Sequence, residues 1–444
     1  MNRQIVRLAI PFIISNITVP LVSSVDTALM GHMDSTMHLG AIGLGGAIFN
    51  FIYWNFAFIR MSAVGLTAQE YGAKNFDETG KLLGRAIWVA ILGAIVLLLF
   101  RNHIEALCFR IAKGEPEVEA IAAKYFAIRI FAAPATLSLY ALTGWFIGMQ
   151  NAKAPMFIAI IVNVINLGAN FIFVAGFGLK SEGVALGTVI AQYCGLLLAV
   201  VIILKKYRPY LKVISLKMLM DFKGYGRFFK VNIDIFIRTF AVIFVLTWYN
   251  FASADKGATI LGVNVIFLQL VYAFSFFIDG FANAAEALTG KYIGRNEISN
   301  LKKVVRYTFI WGISLATVFT LVYLGAWRSI MGIYTSDQLV IETAKEYIGW
   351  IIAIPLVSIV TFVWDGIFWG ATATTEQRNA TIAAAILFFA VYLSLGPRFE
   401  NHALLLAQLV FFGVRGILLT LYYKPAILRK LENGQLNIGV GGNT

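Results

Sequence analysis

The sequence predicts an all-α polytopic membrane protein: twelve transmembrane helices in two six-helix lobes, related by a pseudo-two-fold axis along the membrane normal, with a central cavity. Three observations predict it. Of 444 residues, 59% are hydrophobic and only 13% charged, against about 25% charged in soluble domains. Apolar runs recur along the whole chain, each with the ~20 residues needed to cross a ~30 Å hydrocarbon core. The two halves also repeat one another at a shift of about 222 residues, as argued below.

Twelve spans are expected at about 5–31, 40–68, 84–101, 118–148, 155–176, 183–204, 226–252, 259–289, 304–327, 340–370, 378–395 and 402–423. The fourth and tenth each hold one internal proline, Pro134 and Pro355. The last two are split at Gly396-Pro397. The first span is too long, and lacks a small-residue cleavage site, to be a cleaved signal peptide. Placing the N-terminus inside puts Lys and Arg on the inner segments over the outer loops by about three to one. Both termini are therefore expected in the cytoplasm of a cell inner membrane. The net charge of +13 is then topology plus attraction to anionic lipid, and nucleic acid is not needed to explain it.

The longest polar inner segment divides the chain. The expected domains are an N-terminal six-helix lobe at 1–204, a cytoplasmic linker at 205–225, a C-terminal six-helix lobe at 226–423 and a cytoplasmic tail at 424–444. Across the linker, Leu39-Gly40 falls on Leu261-Gly262, Tyr125 on Tyr347, Gly144 on Gly366 and Gly148 on Gly370. Tyr71, Lys74 and Asn75 fall on Tyr292, Arg295 and Asn296, and Pro134 on Pro355 one residue off. Six spans per half is an even number, so the copies share one membrane orientation and a cavity is expected where they meet.

Charges inside spans are costly in hydrocarbon and mark functional positions. Asp26 is the first of them, in the run Ile10–Met33, with Pro20 six residues before it. A proline inside a helix removes a backbone hydrogen bond and bends it. A bendable helix carrying a titratable acid is a candidate moving part. In the fifth span Asn163, Asn166 and Asn170 share one helical face; amides there either bridge helices or coordinate a cation near Asp26. In the second half, Asp234 and Arg238 are four apart and are expected to pair. Asp279, Asn283 and Glu286 lie in the eighth span and Asp365 in the tenth. Asp234, Arg238, Asp279 and Asp365, with Glu286 nearer the interface, are expected to form one polar cluster. Aromatic residues and Met30, Met33, Met61 and Met149 offer packing, with a minority suited to a cavity wall.

Cys108 and Cys194 have no metal-ligand spacing, and the four histidines are unpaired for metal. There is no G-x-x-x-x-G-K-[ST], G-x-S-x-G or H-E-x-x-H. No nucleotide-hydrolysing engine, enzyme or metal site is therefore expected.

The stretch Pro11…Pro20-Leu…Asp26-Thr27…Gly31 followed by Leu39-Gly40-Ala41 resembles the opening of the multidrug and toxic compound extrusion (MATE) family. So do Gly148-Met-Gln-Asn-Ala-Lys-Ala-Pro155, Asn166-Leu-Gly-Ala-Asn170 and Gly183-Val-Ala-Leu-Gly-Thr188. Three further stretches look like its DNA-damage-inducible (DinF-type) branch: Asn232–Arg238, Asp279–Glu286 and Trp364-Asp365-Gly-Ile-Phe-Trp-Gly. The resemblance implies an antiporter that exports small amphipathic, often cationic, compounds by alternating access. Its cofactors are none, with H+ as the coupling ion and Na+ as the alternative. Its partners are those substrates and membrane lipids, and a monomer is expected. Asp26 matches the family's coupling acid, and Asn166 and Thr188 match positions that assist it in some members. Asn170 stands where those members have an aspartate, so one carboxylate is lost and a proton is favoured over sodium. The role of the sodium-coupled branch's tenth-span acid does not carry to Asp365.

Two other functions compete: a flippase for a lipid or lipid-linked saccharide, and an organic-acid transporter. A flippase cavity needs several cations. Here Arg238 is the main intramembrane one, with Arg60, Arg129 and Arg415 expected near helix ends.

Overall fold

The computed structural model describes residues 1–31, 36–111, 115–221 and 225–435; the side chains of 19–31, 36, 39 and 111 lie outside the description. Helices account for the described chain, with no strand among its residues. In chain order they are α1 (Asn2–Gly31), α2 (Thr36–Phe56), α3 (Phe58–Gly72), α4 (Phe76–Leu99), α5 (Arg101–Ile111), α6 (Pro116–Arg129), α7 (Ala133–Gly148), α8 (Lys153–Phe171) and α9 (Ser181–Lys206). Two short helices follow, α10 (Arg208–Leu211) and α11 (Leu216–Leu219). Then come α12 (Gly226–Ala254), α13 (Ala258–Gly294), α14 (Ile298–Tyr334), α15 (Gln338–Gly370), α16 (Thr374–Tyr423) and α17 (Arg429–Glu432).

Nine helical runs among the described residues are long and apolar enough to cross a membrane. α1 and α12 are of spanning length as well. The α16 run is two helices, because Glu400 has φ 46° and ψ −116° inside it. That makes the expected twelve. The split falls at Glu400, three residues after Pro397, and both Gly396 and Pro397 are helical. Two spans are broken midway: the second at Ala57, between α2 and α3, and the fourth by a 3-10 turn, Ile130–Ala132, just before Pro134. α5 is an additional helix in the stretch expected to be an outer loop.

The chain divides into two compact units. The first is Ile14–Phe229; the second is Met1–Ile13 together with Lys230–Thr444. The core of the first includes Phe49, Tyr125, Phe126, Trp145 and Phe146, all buried. The core of the second includes Phe267, Phe388 and Phe411. The start of α1 belongs to the second: Tyr292 donates to Gln4 Oε1 at 2.9 Å, and Ala9 and Ile13 lie against Gly280. The segment 205–225 is no free tether. Tyr210 lies against Gly80 of α4, Ile214 and Met218 against Gly84, and the Tyr207 hydroxyl accepts from Asn151 at 3.0 Å.

The internal repeat is visible in the backbone. Four non-glycine residues have positive φ at helix ends: Lys74 (59°), Gln150 (62°), Asn296 (56°) and Thr372 (53°). Lys74 is 222 residues from Asn296, and Gln150 is 222 from Thr372. Left-handed residues stop helices by redirecting the chain, so each half stops two helices at matching positions. The glycines match too. A Cβ on Gly144 would meet the Arg60 carbonyl and Ala63 of α3; one on Gly366 would meet the backbone of Ala282 of α13. Both glycines permit the same close approach of one helix to another.

Candidate functional site

In the first unit, α8 and α9 bring together three of the expected residues. Asn166 Nδ2 donates to Thr188 Oγ1 at 3.2 Å, and Asn170 Nδ2 donates to Asn166 Oδ1 at 3.3 Å. Thr188 Oγ1 donates to the Val184 carbonyl at 3.0 Å, one turn back on α9. Helical periodicity puts Asn166 and Asn170 on one face, and both are buried. Asn170 fits because Gly187 has no side chain; a Cβ there would collide with Asn170 Oδ1. Asn163, one turn earlier, donates to Thr18 Oγ1 of α1 at 3.0 Å, so this face of α8 meets the helix that carries Asp26. The α1 backbone is helical through Pro20 and Asp26 as far as Gly31. The side chains of Asp26 and Pro20 lie outside the described residues.

The second unit holds a larger arrangement, built on two carboxylates and three arginines. Asp365 Oδ2 accepts from Arg238 Nη2 at 2.5 Å and from Arg415 Nη2 at 2.6 Å. Its Oδ1 accepts from Gln377 Nε2 at 2.7 Å. Asp365 and Arg415 side chains are 5% and 3% exposed. Asp234 Oδ1 accepts from Arg378 Nη1 at 2.5 Å, while its Oδ2 accepts from Thr375 at 2.7 Å and Thr374 at 3.1 Å. The first turns of α16 thus hold both aspartates, Asp234 through Thr374, Thr375 and Arg378, and Asp365 through Gln377.

This corrects the expected pairing of Asp234 with Arg238. Arg238 turns to Asp365 of α15 and packs over the Trp369 ring, 5.2 Å from its centroid. Asp234 is taken by α16 instead. The reason is energetic: a buried carboxylate needs several well-aimed donors, and α16 supplies three to Asp234 where one helical turn supplies one. Asp279 is half-buried and Glu286 buried on α13. The hydrogen bonds just described run without them, and each has interactions of its own.

Arg378 and Gln377 carry no sequence signal for this network. Arg378 lies at the start of the expected span 378–395, where a basic residue reads as an inner flanking charge, and Gln377 stands just before it. Arg415, expected near a helix end, is buried eight residues before the end of its helix. Arg60 and Arg129 are likewise well inside spans, of 33 residues each.

The MatE family model matches residues 11–172 and 235–393. The chain is 35% identical over 425 residues to DNA damage-inducible protein F of Escherichia coli strain K12, covering 95% of this chain and 92% of that one. It is 25% identical to human multidrug and toxin extrusion protein 1, over 89% of this chain and 68% of the relative. Among solved structures, a MATE protein in a bent conformation superposes with a TM-score of 0.87 at 15% identity, covering 97% and 96% of the two chains. The fold, the matched motifs and these likenesses make the chain a multi-pass membrane transporter, not an enzyme, and it belongs to the MatE family.

Proposed function

We propose that the chain exports small amphipathic organic compounds from the cytoplasm in exchange for cations moving inward, with protons preferred over sodium, and that Asp26 is the coupling residue. One observation carries the preference. Two of the three side-chain oxygens of the amide-hydroxyl set already accept a hydrogen bond: Asn166 Oδ1 from Asn170, and Thr188 Oγ1 from Asn166. A sodium ion needs several free oxygens and gains from a second carboxylate, which Asn170 does not provide. A proton needs only the one carboxylate.

Export follows the names of the relatives, which include the human multidrug and toxin extrusion protein and a probable multidrug resistance protein of Bacillus cereus. Alternating access is driven by the difference in affinity of proton and cargo for the two states. The excess of inner basic residues supports cytoplasmic termini in the inner membrane, and the protein works as a monomer in contact with lipid.

The test is ethidium transport in proteoliposomes under a pH gradient and a sodium gradient imposed separately, with wild type and Asp26→Asn. Movement driven by the pH gradient alone, and lost in the variant, is expected. Movement driven by sodium alone, or a fully active Asp26→Asn, would overturn the coupling assignment.

A further inference from the structure

Two arginines of the first unit lie deep in spanning helices and meet no carboxylate among the described residues. Arg60 is 12 residues from the end of the span Gly40–Gly72, and Arg129 is 13 residues into Pro116–Gly148. At ~1.5 Å per residue both are about 18 Å or more from the nearer end of their span. Arginine stays protonated in proteins, and a charge at this depth faces a bundle interior or a water-filled space.

Their neighbours are polar and unsatisfied. Arg129 Nη1 donates to Tyr125 Oη at 2.5 Å, and its guanidinium faces the Phe49 and Tyr125 rings at 4.9 and 5.4 Å. Its Nε is buried and makes no hydrogen bond. Tyr53 Oη and Thr136 Oγ1 are also buried, on residues only 8% and 7% exposed, and the two hydroxyls face one another with no other hydrogen-bond partner among the described residues. Tyr53 adjoins Arg129, Thr136 and Tyr140, and Tyr140 is within electrostatic reach of Arg60. Buried polar atoms are ordinarily paired, so this group of donors is matched to something that accepts. Both helices that carry it break at this depth, at Ala57 and at Ile130–Ala132. Broken helices at the mid-membrane mark binding sites in transporters.

We propose that Arg129, Arg60, Tyr53, Thr136 and Tyr140 form an oxyanion site in the first unit that takes the carboxylate or sulfonate of an amphipathic substrate. The guanidiniums supply charge and N–H donors, the hydroxyls complete the ring of donors, and Phe49 and Tyr125 flank it with apolar faces. The inference rests on the export reading and extends its cargo to compounds bearing an acidic group.

The experiment measures 5-carboxyfluorescein and ethidium transport side by side in phosphatidylcholine proteoliposomes. Wild type is expected to carry 5-carboxyfluorescein. Arg129→Gln removes a charge-assisted contact and lowers the 5-carboxyfluorescein-to-ethidium ratio about tenfold. Tyr53→Phe, which removes one oxygen only, lowers it about threefold. Arg129→Lys keeps the charge and recovers part of the ratio. An unchanged ratio in Arg129→Gln and Tyr53→Phe, with ethidium still carried, overturns the site and leaves export standing. Transport of neither compound by wild type overturns both. Loss of 5-carboxyfluorescein transport on adding phosphatidylglycerol assigns the site to a lipid headgroup and overturns its assignment to substrate.

Discussion

The two units share a scaffold and differ in how they treat charge. Their helix stops and glycine contacts coincide at a shift of 222 residues. In the second unit Asp234 and Asp365 each receive three side-chain donors, from three arginines, two threonines and a glutamine. In the first, the deep arginines Arg60 and Arg129 have no carboxylate among the described residues, while buried donors without a hydrogen bond occur in both units, Arg129 Nε in the first and Arg238 Nε and Arg415 Nε in the second. Where the network is complete, any change of charge strands a buried ion, so the unit resists change. One copy of the duplicated fold pairs its deep arginines with buried aspartates, and the other leaves Arg60 and Arg129 without a carboxylate among the described residues.

Breaking the closed network gives the largest expected effect. Asp365→Asn strands Arg238 and Arg415 and is expected to destabilise the protein by about 3–5 kcal/mol, read as thermal unfolding in detergent. Melting like wild type would mean the network does not hold the second unit together. Next come the paired glycines. Gly144→Ala and Gly366→Ala each force two helices apart at a cost of about 1–3 kcal/mol; clearly unequal losses would count against a shared scaffold.

Charging the open unit sharpens the contrast. Asn170→Asp restores a second carboxylate, and its melting temperature is expected to rise with sodium while that of wild type does not. A sodium-independent variant would remove these side chains from any cation site. Thr375→Ala takes one of three donors from Asp234 and is expected to cost about 1 kcal/mol. The smallest effect is at His38, outside the spans, which lies 3.3 Å from the Ser181 hydroxyl. Burial, then Lys180, lowers its pKa from 6.5 against a weaker opposing pull from Glu182. Its folded state favours the neutral ring, so this contribution is full above pH 6.5 and is lost as the pH falls through the lowered value. A slight acid-side drop in melting temperature, absent in His38→Gln, is expected.

The spans were legible because hydrophobic length is a strong signal and the lipid demands it. The amide set was legible because Asn166 and Asn170 are four apart and one helix presents both. The ion pairs were not. Asp234 and Arg238 have the spacing of a local pair, yet their partners come from 144 and 127 residues away. Nothing in local spacing states that α16 turns its first turns onto both aspartates. The depth of Arg60 and Arg129 was hidden for another reason. Spans of 33 residues exceed the hydrocarbon thickness, so a residue's distance from the predicted end says little about its depth until the helix bounds are known.

The first turns of α1 have a consequence for synthesis. Ile5, Ala9 and Phe12 are buried, and the partners of this segment include Gly280, Tyr292 and Trp311. Those residues leave the ribosome more than 260 positions later. The beginning of the chain must therefore wait, threaded but unpacked, until the eighth and ninth spans have been inserted. A fragment ending at residue 229 would leave that apolar surface bare, and supplying the second half as a separate polypeptide should cover it.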